Sequence, residues 1–166
     1  MTPSHIKISS PLSILRTKTR MFKKVTTKKS RMGQPKVGIS SAEQPMHYSV
    51  GAVIQRDGKY LLIDRANPPF GFAAPAGHVD NDESPLEALV REVCEETGLS
   101  IEKSELLLQK EVEKNVCKRG ITIHYWYVFQ CTVSGGVQQN PLETKSIGWY
   151  SPEEIKLLKL VVSPVS

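Results

Sequence analysis

Gly77-His78-Val79-Asp80-Asn81-Asp82-Glu83-Ser84-Pro85-Leu86-Glu87-Ala88-Leu89-Val90-Arg91-Glu92-Val93-Cys94-Glu95-Glu96-Thr97-Gly98-Leu99 is the stretch that decides the fold. Ser84 stands where a helix N-cap is needed, and Pro85 follows at the first helical position, where a missing N–H is no loss. Gly98 sits where a helix ends in a left-handed residue. Between these punctuation marks, Leu86, Leu89, Val90, Val93 and Thr97 share one side of a wheel at about 100° per residue. The spacing predicts an amphipathic helix over residues 84–97 whose apolar face packs on a sheet.

Working outward, the flanking segments supply that sheet. Residues 47–55 alternate as a strand, with Tyr48, Val50, Ala52 and Ile54 on one face. Asp57-Gly58 is a tight-hairpin signal, and residues 59–64 form the returning strand. Asn67-Pro68-Pro69 opens a loop, and residues 72–79 are extended, punctuated by Pro75 and Gly77. Downstream, residues 106–116 are predicted as a strand, Lys118-Arg119-Gly120 as a basic turn, and residues 121–133 as the strongest strand. Gly135-Gly136 turns the chain and residues 146–150 make a short strand. Ser151-Pro152-Glu153-Glu154 repeats the cap-then-proline pattern and starts a second helix. This order predicts an α/β domain with a mixed β-sheet and helices on both faces.

The chain has 166 residues, 39% of them hydrophobic, which suits one domain with a packed core. Its apolar runs, such as Leu106-Leu107-Leu108, fall far short of the roughly 20 residues of a membrane-crossing helix, so no membrane partner is expected. The net charge of +5 is divided unevenly. Residues 1–42 hold ten basic side chains and no acid, leaving 12 basic against all 17 acidic groups in residues 43–166. Residues 1–45 are therefore expected to be a disordered basic N-terminal tail, and residues 46–166 the folded domain. Three readings of the tail stay open: an inert solvated segment or sequence upstream of a miscalled start, an organelle transit peptide, or an arm binding nucleic acid by charge. The expected location is cytoplasmic, or an organelle if the tail is a transit peptide. Nucleic acid is a partner only through the tail. Cys94, Cys117 and Cys131 have no zinc-finger spacing, and an odd count speaks against a disulfide framework. They are read as ordinary thiols.

Glu92, Glu95 and Glu96 stand at i, i+3 and i+4, so three carboxylates crowd one helical surface. No lysine occurs between Lys59 and Lys103 to relieve the repulsion. Clustered carboxylate oxygens suit a hard divalent cation, Mg²⁺ or Mn²⁺; a plain solvated acidic face is the competing reading.

The fixed positions of the stretch discriminate between the two. Gly77, five residues, Glu83, seven residues, Arg91-Glu92-Val93, one residue, Glu95-Glu96, one residue, then Gly98-Leu99 resembles the Nudix box at every defined position. By this resemblance the chain is identified as a Nudix hydrolase, over roughly residues 46–160. The resemblance implies an α/β/α sandwich with the box as loop–helix–loop. It also implies metal-dependent hydrolysis of a diphosphate linkage in a nucleoside diphosphate derivative: a nucleoside triphosphate, an ADP-ribose-like compound or a dinucleotide. Glu92, Glu95, Glu96, Gly77 (through a nearby carbonyl) and Glu83 are implied metal-site residues. Glu92, Glu95 and Arg91 are the implied catalytic group, Arg91 as an organiser that fixes a carboxylate, and Glu95 either sharing ligation or acting as base. Glu83 either orients the loop or binds a second metal.

One departure is His78, where many family members carry a second glycine. It is a candidate substrate or metal contact; an ordinary loop histidine is the commoner case. Arg65 and Phe72 are the other candidate substrate contacts. Arg56 and Arg119 offer charge to phosphates, and Phe70, Tyr125 and Tyr127 offer stacking surfaces, each against a plain surface or core role. His124 is expected to be structural, and Trp149 to pack as core. The partner is a nucleotide-like small molecule, and a homodimer is compatible with the sequence. A non-catalytic Nudix-fold nucleotide-binding module is the alternative, disfavoured because Glu83, Glu92, Glu95 and Glu96 are all kept.

Overall fold

The computed structural model describes residues 33–161. Among the described residues eight strands form one sheet, on which one long helix packs. In chain order they are β1 (Val37–Ile39), β2 (Pro45–Arg56), β3 (Lys59–Arg65), β4 (Phe72–Ala73), β5 (Ala76–His78), α1 (Pro85–Thr97), β6 (Ser100–Val112), β7 (His124–Ser134), β8 (Thr144–Tyr150) and α2 (Pro152–Ile155). The strands run β4-β3-β2-β7-β6, with β1 and β5 also on β2 and β8 on β3. β2 and β7 are parallel and every other named pair is antiparallel, so the sheet is mixed, as predicted. Among the described residues no helix is long and apolar enough to cross a membrane.

β2 is the organising strand. Val50, Ala52 and Ile54 on its predicted face are buried against Leu89 and Val93 of α1 and join Leu61, Val79, Leu99 and Phe129 in the core. Its opposite face is covered too, since His47 and Ser49 are also buried. The hairpin to β3 turns at Asp57 (φ 50°) and Gly58 (φ 74°), the paired left-handed conformation that tight hairpins need.

α1 is closed at both ends by its sequence signals. The Ser84 hydroxyl accepts from Glu87 N–H while the Glu87 carboxylate accepts from Ser84 N–H, a reciprocal capping box. Gly98, at φ 72°, donates its N–H to Cys94 O. The buried face holds Leu89, Val93 and Thr97 as predicted, with Leu86 and Val90 packed at its margin. It also holds Ala88 and Glu96, which the apolar pattern does not include. α2 is a single turn with no buried residue, so the second helical layer is slight; it lies beside β8.

Three boundaries differ from expectation. Residues 1–32 of the expected tail lie outside the described residues, but residues 33–45 do not behave as a tail. Pro35 bridges Asp80, Lys36 N–H donates to Val79 O, and β1 pairs with β2 from Val37↔His47 to Ile39↔Pro45. A strand of three residues beside a free edge of β2 needs no long alternating pattern. β6 begins at Ser100, directly after the helix, and stops at Val112, because its first half is the polar run Glu102-Lys103-Ser104-Glu105 on a strand whose outer edge is unpaired. β7 begins at His124; residues 113–123 before it form a loop closed by Asn115 N–H to Thr122 O and Cys117 N–H to Ile121 O.

Candidate active site

The site is assembled where α1 crosses β5. Gly77 pairs with Val50 and therefore faces the helix side of the sheet. A Cβ there would fall on the Glu92 carboxylate, so only glycine lets this side chain lie against the strand. One turn further, Glu96 is 5% exposed and its Oε2 accepts from Ala76 N–H at 2.8 Å. Both carboxylates are thus drawn inward by the backbone of one short strand.

Arg91 fills the gap between these acids and the loop. Its Nε donates to Glu83 Oε2 at 3.1 Å and its Nη2 to Glu83 Oε1 at 2.5 Å, a two-point clamp. Nη1 donates to Glu92 Oε1 at 2.7 Å and to Glu95 Oε2 at 3.3 Å. Nη2 also reaches His78 O at 2.9 Å. Glu83 completes the loop by accepting from Asp80 N–H at 2.8 Å. Burial opposes charge on this guanidinium, but the hydrogen bonds and charges of Glu83 and Glu92 outweigh it and raise its pKa further. One permanently charged fork therefore ties Glu83, Glu92, Glu95 and the backbone of residue 78 together. Glu87, one turn before Arg91 on the helix, is used at the cap instead.

The carboxylates are short of positive charge. Burial pushes Glu92 up to about 7 in spite of Arg91 beside it. Burial, and then the neighbouring Glu92, pushes Glu96 up to about 8 in spite of the Ala76 N–H. Glu143, on the loop before β8, adds its negative charge to both. The sequence reading missed Glu143, and no local pattern marks it: it stands outside the 77–99 stretch and only the fold brings it near. An all-oxygen donor set that is largely buried, clustered and only partly compensated by Arg91, beside a strand kept open by glycine, fits a hard divalent cation.

The remaining candidates divide. Arg65 lies near enough for its charge to lower the pKa of Glu96, while its Nε donates to Pro69 O. Phe72 begins β4 and meets Tyr150 edge-on, with ring centres 5.4 Å apart. Phe70 is exposed, with Lys145 Nζ 4.9 Å from its ring centre. Tyr127 stacks with Tyr48 and meets Tyr125 edge-on, Trp149 packs against the core, and Arg56 covers its ring. His78 follows Gly77 in β5 and so points to the opposite face of the sheet from the carboxylates. There it meets His47 and His124, and all three imidazoles are shifted down from the ordinary value: His78 to about 4 by burial and then by the charges of His124 and His47, and His124 to about 4 by burial and then by the charge of His47. His47 is also lowered by burial and by Arg119.

This architecture has known counterparts. A sequence model described as the NUDIX domain matches residues 45–164. A MutT-like protein of Streptomyces ambofaciens is 38% identical over 126 residues, 75% of each chain. The CTP pyrophosphohydrolase of Escherichia coli is 36% identical over 108 residues, which are 63% of this chain and 76% of that one. The crystal structure of a MutT NUDIX hydrolase from Burkholderia pseudomallei superimposes with a TM-score of 0.59 at 26% identity, covering 73% of this chain and 90% of that one. Agreement of this extent in both sequence and fold makes the chain a member of the Nudix family, an enzyme acting on pyrophosphate bonds.

Proposed function

We propose that the chain hydrolyses the diphosphate linkage of a nucleoside diphosphate derivative with Mg²⁺ or Mn²⁺, and that a nucleoside triphosphate is the preferred form. The observation that carries the reading is the pair of buried, charge-starved carboxylates, Glu92 and Glu96, gathered over Gly77 and Ala76. Glu92 and Glu96 would hold the cation, with Glu95 and the backbone around Gly77 as neighbours able to share it. A bound divalent cation supplies charge neutralisation on the phosphate oxygens and acidifies water. The preference for a triphosphate rests on the likeness to the CTP pyrophosphohydrolase.

The chain's own groups take the other roles. Arg91 positions: it holds Glu83 with two hydrogen bonds and fixes the orientations of Glu92 and Glu95. Glu95 is the most open of these carboxylates, 35% exposed against 16% for Glu92, and so is the group placed to take a proton from an attacking water. Arg65 brings positive charge to the same side as Glu96 and is the candidate phosphate contact. Diphosphate compounds resist attack because their oxygens repel a nucleophile, so these positive and proton-accepting groups supply what the uncatalysed reaction lacks.

The test is a panel of nucleoside triphosphates, ADP-ribose-like compounds and dinucleotides incubated with Mg²⁺ or Mn²⁺, with phosphate, pyrophosphate and mononucleotide release measured. Turnover of the triphosphates above the other classes supports the proposal. Folded protein that turns over no compound with either ion would overturn it.

A further inference from the structure

On the sheet face away from α1, His47, His78, Cys117 and His124 converge so that one ligand atom from each lies within 4.8 Å of all the others. The fold makes this inevitable once the register is set. Parallel pairing puts His47 beside His124, and antiparallel pairing of β5 puts His78 opposite Ser49, on the same face as His47. Cys117 arrives from the 113–123 loop, whose Gly120 N–H donates back to Cys117 O, and its Sγ stands 3.6 Å from His47 Nδ1.

Two nitrogens in this cluster, His78 Nε2 and His124 Nδ1, are buried and have no hydrogen-bond partner. Buried polar atoms are seldom left so, and each such atom asks for a missing partner. For His124 the backbone of Asn115 takes a hydrogen bond from the ring, which must use the other nitrogen and leaves Nδ1 with a free lone pair. This is how imidazoles that bind metals are held: one nitrogen donates to a backbone carbonyl and the other faces the ion.

The distances are compatible with a small tetrahedral ion, and the donors choose which. Bonds of about 2.3 Å to sulfur and 2.0–2.1 Å to nitrogen, at tetrahedral angles, separate a thiolate and an imidazole nitrogen by about 3.6 Å and place ligating imidazole centres roughly 5 Å apart. The observed sulfur–nitrogen separation is 3.6 Å, and the three ring centres lie 5.0, 5.5 and 5.7 Å apart. Nitrogen and thiolate donors select against Mg²⁺ and favour zinc. Arg119 projects positive charge toward His47 and His78, which the thiolate form that binds a metal would offset.

We propose that His47, His78, Cys117 and His124 form a tetrahedral Zn²⁺ site, separate from the carboxylate site. With four protein ligands it is closed and therefore structural. It would fasten the 113–123 loop to β2, β5 and β7, and it would anchor His78, whose carbonyl holds Arg91.

The full chain, purified with zinc in the medium under a non-thiol reductant and dialysed into Mg²⁺, should retain about one zinc per chain by elemental analysis. Co²⁺ added to zinc-depleted protein with Mg²⁺ in excess should give the intense visible bands of tetrahedral cobalt and a near-ultraviolet thiolate-to-cobalt charge-transfer band. Cys117→Ser should abolish the charge-transfer band, and His47→Asn should weaken Co²⁺ binding by more than the roughly 10–100-fold typical of losing an outer partner. The wild-type spectrum decides even if a variant fails to fold. Folded wild type that takes up neither ion overturns the proposal. So does Co²⁺ uptake with only weak octahedral absorption, or a spectrum unchanged in Cys117→Ser.

Discussion

Glu96→Gln separates the stability of the site from its chemistry, and the two should move in opposite directions. Glu96 is almost wholly buried, accepts from Ala76 N–H and lies beside Glu92. Burial, and then Glu92, lifts its pKa from the ordinary 4.5 to about 8. The folded protein therefore keeps a proton that the unfolded chain has already released. The Glu96 contribution to stability in the absence of Mg²⁺ falls as pH rises from 4.5 and levels off above about 8, and the difference between wild type and Glu96→Gln isolates it from the other titrating groups. Near pH 7 the gap is some 2.5 units, and at about 1.4 kcal/mol per unit the ionisable group costs on the order of 3 kcal/mol. Glutamine keeps the volume and the acceptor for Ala76 N–H but cannot ionise. Urea unfolding in Mg²⁺-free buffer should show Glu96→Gln within about 1 kcal/mol of wild type near pH 5, about 3 kcal/mol more stable near pH 7 and about 4 kcal/mol more stable near pH 8. Added Mg²⁺ should stabilise the wild type and leave the variant almost unchanged, because only the former gains a bound ion. Turnover should fall by on the order of 100-fold or more. A variant no more stable than wild type near pH 8, or one with unchanged Mg²⁺-dependent turnover, would refute the reasoning.

Three further substitutions probe the supporting geometry. Gly77→Ala places a Cβ on the Glu92 carboxylate; stability should drop by about 1–3 kcal/mol and turnover by at least ~10-fold, measured by thermal melts and steady-state rates. Arg91→Lys keeps the charge but cannot hold Glu83, Glu92, Glu95 and His78 O together, so kcat should fall on the order of 100-fold while circular dichroism stays native. A lysine variant within twofold of wild type would remove Arg91 from its positioning role. Ser84→Ala deletes one half of the capping box and should cost about 1 kcal/mol by chemical denaturation with kcat unchanged.

The sequence made α1 legible because all its signals are local: a cap, a proline, a closing glycine and one apolar face. The carboxylates were legible as a group for the same reason, being close in sequence on one helix. Their separate environments were not. The helical wheel brings Glu96 within about 20° of Leu89 and leaves Glu95 about 120° from it, but the partner that takes in the buried carboxylate, the Ala76 N–H, stands on another element. Glu143 and β1 were missed on the same account, as both reach the site or the sheet through tertiary placement alone. The histidine cluster is the extreme case. His47, His78 and His124 are far apart in sequence, and only the pairing register of β2, β5 and β7 puts them on one face.

That register gives β5 an unusual position between two chemistries. Gly77 faces the oxygen donors on the helix side, and His78, the next residue, faces nitrogen and sulfur donors on the other. Hard oxygen ligands and soft or borderline ones choose different ions, so the two faces need not compete for the same metal. They are not mechanically independent, however, because Arg91 grips the His78 carbonyl while the His78 ring belongs to the opposite cluster. A chelator that strips every divalent ion would disturb both faces together and blur the effect of Glu96. Withholding Mg²⁺ alone perturbs only the carboxylates, which is why the Glu96→Gln comparison is set in Mg²⁺-free buffer. If the histidine face is loaded independently, its occupancy should leave the pH dependence of that comparison unchanged while shifting the baseline stability of wild type and variant equally.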